Sequence, residues 1–482
     1  MSATAPLHNR IPGATVPSAQ PAQRPSLRLL VPALVAATIA ISQFTLHWGR
    51  PEDGLLVGLA LGAFLLVPNG LAWALGPVLI CELTIASYYF SDFGLSLRLI
   101  VTGLALVIAL PTIMRANRND PRYRRVFVPA LALLAVATLG NALFSGQDYA
   151  IKYLRYQTLQ VLALVLVALL IRERRDLWRL LVGGLTLLLV AALIAIWQHY
   201  ARGSAPGSAL VTIWKGRSVG LGSSPVILAN QLTAGLVPIL GLLATLRWQR
   251  GWRLAALLAA ALVLALGLYL TYTRSAPLAL GPGLLAIGLC LRGQRRMLVV
   301  GGVLGAVALF QLLAGTGLIG ERYYRSAQDD NSAASHEALW QVGFAIAVDN
   351  ALLGIGHEHF EEVSLQYSGA VDANAGSESL GVERPHNDFL AVWTSWGIVA
   401  MVAYLALFVG ATKNFLAATR SADPLIRGLA VGGIGWLATY AANSAFHNYL
   451  DSSTLLWVFA GLSVVLVRNA GAPAVASRGT QN

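Results

Sequence analysis

Charge is scarce in this sequence. Asp, Glu, Lys and Arg together make up 12% of its 482 residues, about half the share usual in a soluble domain. With 56% of residues from the set AVILMFWYC and a mean hydropathy of +0.64, that scarcity excludes an ordinary cytosolic enzyme. It equally excludes a disordered chain, which needs low hydrophobicity and high charge. Cysteine is nearly missing: Cys81 and Cys290 both lie inside apolar runs, so there is neither a disulfide framework nor a zinc signature. Lysine occurs only three times among 34 basic residues. No apolar core stands ahead of the first long apolar run, and residues 1–28, rich in Pro, Ala and Ser, read as a flexible cytoplasmic tail rather than a cleaved signal peptide.

What is there instead is a series of apolar runs, at about 29–47, 54–68, 70–90, 97–114, 126–144, 155–171, 177–199, 226–246, 254–271, 276–291, 297–319, 387–411, 428–445 and 454–467. Each is near the roughly 20 residues that cross the hydrocarbon core, which predicts an all-α polytopic membrane protein with about 12 (12–14) transmembrane helices. The net charge of +12 would point to nucleic acid in a soluble protein. In this one it reads as topology, and no nucleic-acid partner is expected. Arginines crowd every second connection: Arg115, Arg118, Arg122, Arg124 and Arg125; Arg172, Arg174, Arg175 and Arg179; Arg247, Arg250 and Arg253; Arg292, Arg295 and Arg296; then Lys413, Arg420 and Arg427. Basic residues collect on the cytoplasmic side, so both termini are expected there and the sparse connections outside.

The expected organisation is a cytoplasmic tail over 1–28, transmembrane helices over 29–319, one large outer (periplasmic) loop over 320–385, further helices over 386–468, and a tail over 469–482. The loop holds 11 of the 22 acidic residues, and a structureless connection that long is uncommon unless it is functional. Within it Ala338, Leu339, Val342, Phe344, Ala345 and Val348 recur at helical spacing beside Trp340. This predicts an amphipathic helix over 334–349 lying on the membrane surface.

The informative cations are those on the outer side. Arg217 sits in a Gly/Ser/Pro-rich stretch (215–230, with Lys215), and Arg274 in a very short connection, TYTRSAP (271–277), neither with an adjacent acid. A cation near the hydrocarbon edge is costly and calls for a partner or a substrate, and the planar guanidinium suits phosphate. Lys152, Arg155 and Arg384 are further outer cations. Among the histidines, His357 and His359 resemble an H-x-H metal pair, but no further ligands are spaced to complete a site; no metal is expected. His386 opens the run after the large loop. On a helix it would share a face with Leu390, Trp393 and Gly397 at i, i+4, i+7 and i+11, placing an imidazole at the mouth of an aromatic-lined crevice. That suits a general base near neutral pH, with Asn387 to orient it or to bind a sugar hydroxyl.

His386-Asn387 followed by Gly397, after a long outer loop, resembles the O-antigen ligase signature. The Arg-Ser pairs (Arg217-Ser218 and Arg274-Ser275) and the W-x(13)-G-x-G pattern (Trp340, Gly354, Gly356) resemble the wider ligase/polymerase superfamily. The resemblance covers roughly residues 210–410. It implies a GT-C-like glycosyltransferase of the bacterial inner membrane that needs no cofactor. Its donor would be an undecaprenyl-diphosphate-linked O-antigen, its acceptor a hydroxyl of the lipid A–core oligosaccharide. Transfer would be inverting, metal-independent and periplasmic, with membrane lipids as the surroundings. It implies His386 as general base with Arg217 and Arg274 at the diphosphate. Arg384, Asn387, Lys152, Arg155, Lys215 and Trp393 would bind substrate. Fixed guanidinium groups can stabilise the charge developing on a diphosphate leaving group, and no DxD-like acidic set occurs in the outer connections. An O-antigen polymerase or a protein O-oligosaccharyltransferase shares these features. A transporter is the non-enzyme alternative, although mid-span positions are almost free of charge, Glu82 being the clearest exception.

Overall fold

The computed structural model describes residues 119–201, 211–246, 251–302, 330–371 and 380–471, together with 110, 114 and 305 and apart from 213, 223, 382, 383 and 451. The apolar runs expected over 29–114 lie outside the described residues but for 110 and 114, as do residues 1–28, 472–482 and most of 297–319. Every regular element among the described residues is helical. We number them α1 (Pro121–Phe144), α2 (Gln147–Leu170), α3 (Arg174–Ala201), α4 (Pro225–Thr245), α5 (Gly251–Leu270), α6 (Ser275–Cys290), α7 (Asp330–Asp349), α8 (Phe360–Ser364), α9 (Asp388–Ala418), α10 (Pro424–Ser444) and α11 (Leu455–Ala470), with a 3₁₀ turn over Leu365–Ala370. Six of them, α1, α3, α4, α5, α9 and α10, are long and apolar enough to cross a membrane, and α6 and α11 are shorter apolar helices.

Three of these helices start by the same local device. The side chain of Asp120, Ser224 or Asp423 accepts a hydrogen bond from the second backbone N–H beyond it, at 2.9, 3.2 and 2.9 Å, and a proline follows at the first helical position. The cap satisfies a donor that the helix leaves orphaned, and proline costs nothing where its missing N–H had no partner. Close backbone approach comes from glycine. A Cβ at Gly241 of α4 would strike the backbone of Gly432 in α10, and one at Gly283 of α6 would lie 2.8 Å from the carbonyl oxygen of Gly435. Small residues at such crossings let dispersion hold helices together where lipid supplies no hydrophobic drive. Trp396, Trp436, Trp457, Tyr404 and Tyr440 fill the interior, with Trp436 stacked on Phe459 at 3.7 Å. Outward, Leu258, Leu262 and Leu266 on α5, and Val399, Val402, Leu405 and Val409 on α9, remain exposed. Apolar stripes of this kind suit a lipid surround.

Connections gather at two ends. At one, Arg174 meets Asp423 at 3.3 Å and Asn414 donates to the Arg122 carbonyl at 2.9 Å. At the other, the α1–α2 turn, the segment before α4, the α5–α6 turn, the loop after α10 and the α7–α8 segment come together. Ser145 donates to the His357 carbonyl there at 3.0 Å, and Gln198 to the Gly220 carbonyl at 2.9 Å.

The helix expected over 334–349 is α7, which begins four residues earlier, at Asp330. Its apolar positions do not form one face. Ala338, Leu339, Val342 and Ile346 are buried against the protein, whereas Phe344 and Val348 are 56% and 50% exposed. The helix therefore has two apolar sides, one packed on α9 and one turned outward.

Candidate active site

The site begins with a broken helix. Gly397 interrupts α9 with φ 76° and ψ −176°, a conformation open essentially only to glycine. The break strips the turn of its own hydrogen bonds, and the segment after α7 replaces them. Ile355 and Gly356 donate their N–H groups to the carbonyls of Thr394 and Ser395 at 2.8 and 2.9 Å, while Ile398 donates to the Ala351 carbonyl at 2.7 Å. Gly354 and Gly356 have φ of 70° and 83°. A Cβ on Gly354 would sit 2.5 Å from the Ser395 carbonyl carbon, and one on Gly397 would strike the Leu352 carbonyl. The G-x-G pattern and Gly397, nine intervening residues after His-Asn, are thus two halves of one joint, clamping the loop onto α9.

His386 lies just before α9, not on it. Its φ is 47°, so it does not share a helical face with Leu390, Trp393 and Gly397 as the sequence spacing had it. Asn387 is the N-cap: its side-chain oxygen accepts from the N–H groups of Phe389 and Leu390 at 3.0 and 3.2 Å, and is spent on the helix rather than held out to a sugar. Asp388 is buried. One carboxylate oxygen accepts from Tyr449 N and Leu450 N at 2.8 and 3.0 Å, and the other from the Tyr404 hydroxyl at 3.4 Å. This carboxylate pins the loop after α10 to the start of α9.

The pin brings rings together. His386 lies 5.0 Å from His336 of α7 and 6.4 Å from His447, and His336 lies 6.4 Å from His447 (ring centroids). Trp340, one turn beyond His336, packs on Phe446 at 5.5 Å. His447 is held neutral, its pKa lowered to about 3 by burial first, then by His386, His336 and the Arg217 guanidinium.

Arg217 is therefore within electrostatic reach of His447. Its Nε donates to the Thr271 carbonyl and a terminal nitrogen to the Thr273 hydroxyl, both at 3.0 Å. These bonds tie its segment to the short turn that carries Arg274, the residue immediately before α6. Ser218 adds two more ties, N–H to the Leu270 carbonyl at 3.2 Å and hydroxyl to the Ala195 carbonyl at 2.8 Å. Lys215, exposed, and Tyr272 take φ of 52° and 50°. Non-glycine residues in left-handed backbone, His386 among them, thus cluster around the site, where strain is commonly stored.

Other expected site residues fall apart from this centre. Arg384 faces Glu358 and Glu361 at 3.7 and 3.9 Å, beside a small cleft reaching from His357 to Asn448. Trp393 meets Phe344 edge-on at 5.9 Å, whereas Tyr449 lies 5.8 Å from His447 and Trp340 6.4 Å from His336. Lys152 and Arg155 lie on α2, and their side chains are outside the described residues. His357 is buried between Tyr153 and Trp396, at 4.0 and 5.8 Å between ring centroids. His359 meets Glu362 at 3.8 Å. Among the described residues no group of three or more His, Cys, Asp or Glu is arranged to hold a metal ion. Sequence reasoning passed over His336 and Asp388 and took His447 for a span-end histidine. A capping Asn followed by an acid at the first helical position was the available signal for Asp388.

Helices of this length and hydropathy define a membrane protein, here with polar chemistry gathered at one end of its bundle. Residues 259–405 match the family model described as O-antigen ligase. That span contains Arg274, the loop, the G-x-G joint and His386, and the match supports the O-antigen ligase family for this chain. No curated protein matches it.

Proposed function

We propose that the protein transfers O-antigen polysaccharide from undecaprenyl diphosphate to a hydroxyl of lipid A–core oligosaccharide at the periplasmic leaflet of the inner membrane, both termini being cytoplasmic. The observation that carries this reading is the meeting of His386 with Arg217, through His447, beside the turn bearing Arg274. Arg217 and Arg274 bind the diphosphate and stabilise the charge that develops as it leaves. His386 takes the proton of the acceptor hydroxyl. That oxygen's electron pair forms the new glycosidic bond on the opposite face of the anomeric carbon, and the bond to the diphosphate breaks with its electrons on phosphate. Lys215 at the rim and Arg384 at the neighbouring cleft contact glycan or phosphate, and Lys152 and Arg155 on α2 are second-tier contacts. With cations doing the electrostatic work, no divalent ion is required.

The test is transfer by the purified full-length protein from a defined lipid-linked donor to a core acceptor in EDTA. Wild-type protein transfers glycan, while His386→Ala and Arg274→Ala fall by about 100-fold or more. Full activity of His386→Ala removes it as base, and loss of wild-type activity in EDTA removes the metal-free mechanism. A deletion strain separates ligase from polymerase: the ligase reading requires long lipid-linked polymer with bare core, and core capped by a single repeat overturns it.

A further inference from the structure

We infer that His336, carried on the loop helix α7, is a positioning residue of the transfer that acts through the His386 imidazole. The inference rests on His386 as base. It goes further by making the large loop part of the acid–base apparatus rather than a cover.

The geometry is specific. The His336 and His386 rings stand 5.0 Å apart at an interplanar angle of 65°, edge to face, the arrangement in which one ring fixes the tilt of the other. His386 sits at a left-handed backbone position just before its helix. α7 is docked by Leu339, Val342 and Ile346, all fully buried. A Cβ at Gly343 would lie 3.5 Å from Leu390, at ordinary van der Waals distance, so α7 packs against the first turn of α9. Trp340 then packs on Phe446, so one helix braces both segments that carry the other two histidines.

Around the pair stand the His447 ring, itself reached by the field of the Arg217 guanidinium, and the Asp388 carboxylate, next in the chain after Asn387.

The experiment compares His336→Ala, His336→Asn and His386→Ala in the full-length protein in lipid nanodiscs, with Glu337→Gln, the exposed next residue on α7, as control. Expected for His336→Ala is a loss in kcat of about 10-fold or more with little change in KM. His336→Asn, which keeps much of the size and hydrogen bonding, recovers part of kcat. Thermal melts identify misfolding, and if the alanine variant is unstable the asparagine variant decides alone. A wild-type rate in a folded His336 variant, with His386→Ala inactive, overturns this inference and leaves His386 as base. An active His386→Ala overturns the underlying reading, and this inference falls with it.

Discussion

At one end of the bundle arginines finish helices. Arg468 donates to the carbonyls of Ala168 and Ile171 at the end of α2, and Arg295 to those of Ala244 and Thr245 at the end of α4. Carbonyls at helix C-termini lack partners and carry partial negative charge, so guanidinium groups settle there with no need of a ligand. At the other end Arg217 donates to a turn carbonyl and a threonine hydroxyl, and the field it casts reaches a neutral histidine. Arginine in a membrane protein thus does two jobs, and its partners tell them apart. Where it meets helix-terminal carbonyls it completes a fold. Where it is braced against a strained turn beside imidazoles, it holds a charge ready for an anion.

The largest expected contrast is in activity. Arg217→Ala abolishes transfer, by about 100-fold or more, whereas Arg468→Ala lowers the melting temperature and leaves the turnover of the folded fraction near wild type. A turnover assay normalised to folded protein checks both, and equal losses would erase the distinction between the ends. Next comes Gly397→Ala. Its backbone conformation and the Leu352 carbonyl against it predict destabilisation of about 3 kcal/mol or more, read as loss of folded protein by size exclusion and melting.

A smaller effect follows from pH. His447 has its pKa lowered to about 3 in the folded protein, against about 6.5 when unfolded. Between those values the unfolded chain binds the proton and the folded one does not, so this histidine's contribution is intact above about pH 6.5 and is lost as pH falls toward 3. Melts from pH 7 to 4 in His447→Gln, which cannot titrate, should fall less steeply than in wild type. Least affected is Arg174→Ala. The guanidinium is 60% exposed where it meets Asp423, and such pairs contribute about 0–1 kcal/mol; stability and transfer should both stay near wild type.

Much of the fold was legible locally. The apolar runs at 126–144, 226–246 and 428–445 became α1, α4 and α10, because hydropathy and the Asp-Pro or Ser-Pro starts act within a few residues. The basic clusters mark one end of the bundle for the same reason. Helical periodicity in α7 was also visible, but not which apolar residues face the protein. Phe344 and Val348 share the periodicity of Leu339 and Val342 and differ only in what lies opposite. His386 and Asn387 stood out by position, yet their roles at the helix start depended on a backbone turn no spacing rule contains. His336 carried no signal, being one polar residue on an amphipathic helix.

By itself, then, the sequence determined a helical membrane protein with cations sorted to one side, because burial in lipid and helix capping are decided residue by residue. Which histidines meet, and that the Arg217 field reaches His447, was decided by tertiary structure. Rings from α7, from the start of α9 and from the loop after α10 come within 6.4 Å of one another only after the Gly397 break accepts the loop and Asp388 anchors the turn. Both are contacts between segments far apart in the chain, which local periodicity does not encode.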